Sequence, residues 1–382
     1  MNFESIPMRK LAFIHSAELE KFSYPADCPF ESARAGQARK TICNMGLLSG
    51  NHRREMPPVK ADRKTLEMFH TPDYLDALMA AGKGELGPAG FQMGLGTPDC
   101  PVFKGMYDYA ALAAGASVTG ARLLLAHEVD IAFNPSGGYH HAMPGRARGF
   151  CYINDIVLAA MTLADARKRV LFLDVDVHHC DGVQHAFYKR KDVMTISMHE
   201  NGRSLFPGTG WEDEIGEGPG KGYTVNIPLP VGTYDAAYEH AFREAALPLM
   251  KAYNPDVIIM EIGMDALAGD PLAHLHLTNN TYADIVAEVV ALGKPILATG
   301  GGGYHVENTV RGWALVWSVF CGEHENEMAL GMGGVMLENT DWPAGLRDRV
   351  LLSDAGQRRT VDQDIEATIQ KLKTTLFPIH GL

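Results

Sequence analysis

The stretch RVLFLDVDVHHCDG, Arg169 to Gly182, is a short apolar run that breaks into metal-binding and acid/base side chains. Five of the six residues from Val170 to Val175 are apolar, and the seven that follow are mostly His and Asp. That pattern predicts a buried strand. Side chains alternate between the faces of a strand, so Asp174, Asp176 and His178 are expected to project to one side, about 7 Å apart, as a row of potential ligands. Asp-x-His at a strand end suits a divalent ion that accepts oxygen and imidazole, zinc first, with iron(II), cobalt or manganese as competitors. Such a motif alone is more often a surface feature or a satisfied polar pair. Further ligands are required.

Working outward, the strand Val129 to Phe133 precedes NPSGGYHHAMPGRARGF, a Gly- and Pro-rich loop from Asn134 to Phe150. Asn154 and Asp155 then offer caps for the helix IVLAAMTLADA. Beyond the central stretch come a helix around Gln184 to Tyr188, a strand Val193 to Met198, and a loop, Glu200 to Gly222, with seven glycines and FPGTG. So much glycine suits a wall that approaches something closely. Tyr223 to Ile227 reads as a strand, Tyr234 to Tyr253 as an amphipathic helix, Asp256 to Ile262 as a strand into GMDALAGDP, and Pro295 to Thr299 as a strand into GGGGY. Upstream lie a strand at Lys10 to His15 and helices at Arg34 to Leu48, Asp73 to Ala81 and Tyr109 to His127. Alternating strands and helices imply one α/β domain, with a mainly parallel central sheet flanked by helices on both faces. Ligands bind such sheets beyond the carboxyl ends of the strands, where His140, His141, Asp174 to Asp181, Asp265 and Gly300 to Tyr304 all fall. No linker or internal repeat is evident.

The 382 residues and 46% hydrophobic content support a substantial core. A net charge of -12 and a pI near 5.7 argue against nucleic acid, which wants clustered Lys and Arg, and fit basic substrates such as lysine-bearing peptides or polyamines. Six scattered cysteines without a C-x-x-C pair indicate a reducing compartment. No signal peptide and no apolar run long enough for a membrane span is found, so the expected location is the cytoplasm.

GGYHHA at Gly137 to Ala142, GFCYIND at Gly149 to Asp155, DVDVHHCDG at Asp174 to Gly182, FPGTG at Phe206 to Gly210, GMDALAGDP at Gly263 to Pro271 and GGGGY at Gly300 to Tyr304 together resemble the zinc-dependent histone deacetylase family, of arginase/deacetylase fold. Order and spacing match over roughly residues 10 to 320, and the chain is similar to the bacterial members related to acetoin-utilisation deacetylases. The resemblance implies Zn2+ (Fe2+ or Co2+ as substitutes) on Asp176, His178 and Asp265. It pairs His140 with Asp174 and His141 with Asp181, and makes Tyr304 the oxyanion donor. Three protein ligands leave an open position, as a catalytic zinc needs, and two carboxylates acidify its water less than three imidazoles would, so a base is required. His141 is the favoured base. GGGGY could also cradle a phosphate, but no Lys-Ser or Lys-Thr follows it.

The resemblance further makes Gly149, Phe150 and Phe206 channel walls for an acyl-lysine side chain, with Leu272 at the edge and Asp99 as a rim carboxylate. It implies K+ held by Asp174, Ser197 and backbone carbonyls of Asp176, His178 and Met198, and an outer cation site at Phe187, Val193 and Tyr223. Arg34 would line an exit cavity, the alternative being an exposed helix arginine. Cys180, Met264 and Arg148 depart from the usual pattern, and Cys28 stands where His is frequent. Residues 1–322 read as the catalytic domain. Residues 323–382 read as an extension ending in an amphipathic helix, with Val361, Ile365, Ile369, Leu372 and Leu376 at helical spacing.

The expected function is zinc-dependent removal of acyl groups, acetyl above all, from lysine side chains. Alternatives are an acetylpolyamine deacetylase, an arginase-like ureohydrolase (which needs bridging carboxylates not found near Asp265) and a catalytically silent acyl-lysine receptor. An oligomer is compatible with the sequence.

Overall fold

Among the described residues, seven of the eight strands are segments of four to eight residues, largely apolar, that are buried along their whole length. The computed structural model describes residues 9–324, 346–352 and 354–382. The strands are β1 (Leu11–Ile14), β2 (Arg53–Met56), β3 (Ile131–Asn134), β4 (Val170–Asp174), β5 (Val193–Glu200), β6 (Thr224–Leu229), β7 (Val257–Glu261) and β8 (Ile296–Thr299). They form one parallel sheet in the order β2-β1-β3-β8-β7-β4-β5-β6. Both faces are covered. Along β4, Leu171 and Leu173 enter one apolar cluster while Val170 and Phe172 enter another. Continuous burial of this kind is what a parallel sheet between helical layers requires.

The helices are α1 (Arg34–Asn44), α2 (Arg63–Leu66), α3 (Pro72–Ala81), α4 (Pro88–Gln92), α5 (Met106–Leu125), α6 (Asp155–Asp165), α7 (Asp181–Phe187), α8 (Asp235–Ala241), α9 (Leu247–Tyr253), α10 (Asn279–Ala291), α11 (Val306–Cys321) and α12 (Ala355–Thr375). The single helix expected from Tyr234 to Tyr253 is interrupted by a π turn at Phe242–Ala246, because Pro248 in the first turn of α9 has no N–H to continue the ladder. The sequence reading lacks β2, whose RREM carries no apolar signal and whose side chains are partly exposed at the sheet edge. It also lacks α10 and α11. In α12, Asp354 caps Gly356 and Gln357 N–H, and Val361, Ile365, Ile369 and Leu372 are buried in the same apolar cluster as Tyr238 of α8 and Val225 of β6. Among the described residues no helix is long and apolar enough to cross a membrane.

One feature of the register positions the site. Asn134, Thr299, Glu261, Asp174, Ser197 and Asn226 stand opposite one another across six adjacent strands, all buried. This polar row marks the level at which the apolar core gives way to the carboxyl-end loops.

Candidate active site

The expected row of Asp174, Asp176 and His178 does not form. β4 ends at Asp174 and the chain leaves extended geometry there, so period-two alternation lapses. Asp174 instead faces His140. Asp176 and His178 turn towards Asp265, and the ligand atoms of these three lie within 4.8 Å of one another.

The loop after β3 carries the two histidines. Asp155, expected as a helix cap, turns back to accept from Gly138 N (3.1 Å), Tyr139 N (2.8 Å) and Ser117 Oγ (2.5 Å). Asn154 does cap α6, accepting from Val157 N, and its amide donates to the carbonyls of His140 and Ala142. The loop is thus fixed from beneath. His140 Nδ1 donates to Asp174 Oδ2 (2.8 Å), His141 Nδ1 to Asp181 Oδ1 (2.8 Å), and the two Nε2 atoms are 3.0 Å apart.

Their electrostatics differ. Burial would lower His140, but the carboxylates of Glu261, Asp174 and Asp176 together raise it well above the histidine range. Burial, then the neighbouring His140 and His178, holds His141 well below it. The surroundings thus favour the charged form at His140 and the neutral form at His141, while burial and the neighbouring carboxylates raise Glu261 and Asp174 in turn. Such a pair divides acid and base roles.

In the metal-type cluster, His178 Nδ1 lies 3.0 Å from both Asp176 Oδ1 and Asp265 Oδ2. The remaining carboxylate oxygens are held by backbone: Asp176 Oδ2 by Gly302 N (2.7 Å) and Asp265 Oδ1 by Val177 N (3.0 Å). Asp265 Oδ2 is buried and, among the described residues, has no partner in hydrogen-bond geometry, His178 Nδ1 being close but not aligned. An orphaned carboxylate oxygen converging with an imidazole and a second carboxylate fits a divalent ion of the zinc type. The glycines are cut to this shape. A Cβ on Gly263 would lie 2.0 Å from Asp176 Oδ2, and one on Gly302 would lie 1.9 Å from Asp265 Oδ2.

Tyr304 follows, its ring 6.4 Å from that of His178 and 5.6 Å from that of Phe150. Burial raises its phenol well above 10, so it stays a neutral donor. Its loop is tied at two points. Asp270 accepts from Tyr304 N (2.7 Å) through one oxygen and from Leu272 N (2.9 Å) through the other. Arg34, 2% exposed rather than on the helix surface, donates to the carbonyls of Gly301 and Gly303 and stacks on Phe30 and Trp313.

Phe206 packs edge-on against His141 at 4.9 Å and is 41% exposed. Phe150 and Gly149 both have positive φ, 63° and 51°, a conformation costly for phenylalanine; the turn is held by Phe150 N on the Asp99 carbonyl (2.7 Å) and Tyr24 Oη on the Phe150 carbonyl. Asp99 accepts from Gly149 N (3.1 Å) and Thr97 Oγ1 (2.7 Å), so it shapes the wall from within. Leu272 is half-buried nearby in sequence to Asp270.

Ser197 is in register with Asp174, and its hydroxyl lies 2.8 Å from His199 Nδ1. Met198, Phe187 and Val193 are buried; the Phe187 and Tyr223 carbonyls each accept a backbone N–H, from Arg190 and Thr195. Cys180 is a buried member of the Val183–Phe187 cluster, and burial pushes its thiol up, so it packs rather than reacts. Met264 lies against Gly312 of α11, and Cys28 is buried.

Three supports escaped the sequence reading: Asp155 in its loop-holding role, Asp270, and Glu261. Glu261 is fully buried, with Oε2 3.1 Å from His140 Nδ1. With His140 and Asp174 it forms a second cluster of metal-ligand type, separate from Asp265. An acidic residue ending the apolar VIIME was the available signal.

Parallel sheet, buried carboxylate–imidazole cluster, histidine pairs and phenol define a metal-dependent hydrolase of arginase/deacetylase fold. A histone deacetylase domain matches residues 28–320. The chain is 40% identical over 319 residues to the acetoin utilization protein AcuC of Bacillus subtilis, covering 81% of this chain and 82% of that one. It is 38% identical over 312 residues to histone deacetylase RPD3 of Saccharomyces cerevisiae, covering 80% and 71%. The crystal structure of an HDAC homolog from Aquifex aeolicus superposes with a TM-score of 0.84 at 31% identity, over 96% of this chain and all of that one. An HDAC homolog complexed with SAHA gives 0.85 at 31%. The chain belongs to the histone deacetylase family. It is a deacetylase, a hydrolase of a metal-dependent class.

Proposed function

We propose that the enzyme uses zinc to remove acetyl groups from lysine side chains of proteins or peptides. The observation that carries this is the convergence of Asp176, His178 and Asp265 with both His–Asp pairs and Tyr304 around one point. A zinc ion held by those three residues would supply Lewis acidity to a water and to the acyl carbonyl. His141, neutral and fixed by Asp181, takes the proton from the attacking water. Tyr304 donates its hydroxyl proton in a hydrogen bond to the oxyanion. His140, whose Nδ1 faces Asp174 and Glu261, keeps a proton available for the leaving amine. Gly149, Phe150 and Phe206 grip the methylene stem and exclude water, Leu272 borders the entrance, and Asp99 holds the wall and meets the substrate backbone.

K+ is assigned to Asp174, Ser197 and the carbonyls of Asp176, His178 and Met198, with an outer site at Phe187, Val193 and Tyr223. Arg34 lines the exit for acetate. Residues 1–322 are assigned to the catalytic domain and 323–382 to a C-terminal extension; residues 325–345 of it lie outside the described residues, and α12 packs in the cluster that holds Tyr238 and Val225. The partner is the acylated substrate, without nucleic acid or membrane, in the cytoplasm; self-association is open to measurement.

Acetylated polyamine is the second substrate class, favoured by the chain's net charge of -12. The test is acetate release by zinc-loaded protein with K+ present, from an acetyl-lysine peptide and an acetylpolyamine in parallel. Turnover of the peptide is the expected result. Polyamine turnover alone moves the function to small-molecule metabolism. Turnover of neither, with one zinc bound per chain, refutes acetyl-group hydrolysis and favours a receptor.

A further inference from the structure

Arg148 stands immediately before the channel residues Gly149 and Phe150, and nothing above gives it a task. Its Nη1 donates to Asp181 Oδ2 at 2.6 Å, while Asp181 Oδ1 accepts from His141 Nδ1 at 2.8 Å. The same guanidinium lies over the Phe206 ring, 5.1 Å from its centroid, and that ring meets His141 at 4.9 Å. Three segments distant in sequence therefore meet at one side chain: the Gly-rich histidine loop, the first turn of α7 and the FPGTG loop.

We propose that Arg148 is a positioning residue that sets the Asp181–His141 pair and the Phe206 wall together. The inference rests on the deacetylase reading for the task of His141, and on geometry alone for the contacts.

An arginine–carboxylate pair on a surface contributes little, because water competes for both partners. This pair differs. The Asp181 side chain is 7% exposed and that of Arg148 is 29% exposed. The carboxylate is held at both oxygens, so it cannot rotate about its Cβ–Cγ bond without breaking one charge-assisted hydrogen bond. With Oδ2 released, the carboxylate keeps only the contacts of Oδ1, the Gly182 N–H at 3.0 Å and His141 Nδ1 at 2.8 Å, so it can swing about Oδ1 and the plane of the His141 ring is held less tightly. Arg148 also lines a cavity of about 650 Å³ together with Asp181, Gln184 and Glu214. A planar cation is suited to both contacts, since it donates in its plane to the carboxylate and presents its face to the ring.

The experiment compares wild type with Arg148→Ala, Arg148→Met and Arg148→Lys, each zinc-loaded and checked for metal content and melting temperature. In the alanine and methionine variants kcat for an acetyl-lysine peptide should fall about ten- to a hundredfold, the range for lost support of a metal-site residue, with KM changing much less. Lysine keeps the charge but neither the planar fork nor the face over Phe206, so it should recover only part of the loss, as should guanidinium ion added to Arg148→Ala. A downfield proton NMR resonance for His141 Nδ1–H is expected in wild type and Arg148→Lys, and should broaden away in Arg148→Ala. That signal needs no turnover. If wild type hydrolyses no acylated amine, the functional reading fails while the resonance still tests the positioning. An unchanged kcat in Arg148→Ala, equal losses in the alanine and lysine variants, or an unchanged resonance would each overturn the proposal.

Discussion

Gly302→Ala separates the metal cluster from the fold. Gly301 and Gly303 have φ of 150° and 120°, where a side chain is strained, but Gly302 between them does not share that conformation. Alanine there meets a steric problem and no backbone one. Its Cβ would lie 1.9 Å from Asp265 Oδ2, 2.7 Å from Asp265 Cγ and 2.9 Å from Asp176 Oδ2. Ordinary contact begins near 3.4 Å, so the Asp265 carboxylate must retreat by more than 1 Å. A metal–ligand distance tolerates about 0.2 Å. The loop cannot retreat instead, because Arg34 holds the carbonyls on either side and Asp176 accepts the Gly302 N–H. Displacing one of three protein ligands should weaken the ion by at least about a hundredfold, the upper end for merely losing a ligand's support. The assay is metal content after equilibrium dialysis in zinc buffers, with acetate release and thermal unfolding of the chelated protein alongside. The variant should need about a hundredfold more free zinc, regain activity when it is supplied, and melt within a few degrees of wild type without metal. Wild-type zinc affinity in Gly302→Ala would show that Asp265 is not a ligand, and the cluster would lose its assignment.

Other outcomes are equally concrete. Tyr304→Phe keeps the ring contacts with Phe150 and His178 and should retain zinc while kcat falls about a hundredfold or more, the range for a lost oxyanion donor; near-normal turnover removes Tyr304 from the mechanism. His70 Nε2 accepts from Asn154 N–H at 3.0 Å, and burial lowers the ring to about 4. The unfolded chain, with histidine near 6.5, binds the proton first, so stability should fall as pH drops from about 6.5 to about 4, by up to about 3 kcal/mol. Urea unfolding across that window should show the slope in wild type and a smaller one in His70→Asn; identical slopes refute it. Ile369→Ala, at a fully buried position of α12, should cost about 2–5 kcal/mol in thermal or urea unfolding and leave KM unchanged. No loss of stability would mean that α12 does not pack as described.

Periodicity reveals what is buried, and function concentrates where periodicity stops. Seven strands were legible because each is an apolar run bounded by polar residues, whereas β2 escaped because an edge strand need not be apolar. The same limit misled the reading of Asp174, Asp176 and His178. Alternation holds only while the chain stays extended, and here it ends at the first of the three. Asp174 then belongs to His140 and the other two to Asp265.

The supports were hidden for a different reason. Asp155 holds its loop mainly through the backbone N–H of Tyr139, 16 positions away, Asp270 reaches the N–H of Tyr304, 34 positions away, and Arg34 acts through carbonyls 267 and 269 positions away. A backbone partner imposes no residue type at the other end, so neither member of such a contact marks itself in a sequence. Side-chain pairs such as His141–Asp181 constrain both ends and can be matched as motifs. Glu261 lies between these cases. Its place opposite Asp174 follows from strand register, which fixes Glu261, Thr299 and Asn134 at one level once β7, β8 and β3 are known to be neighbours. Strand order in this sheet departs from chain order, so that adjacency is a property of the fold. The second carboxylate that His140 Nδ1 faces is therefore a neighbour that only topology supplies.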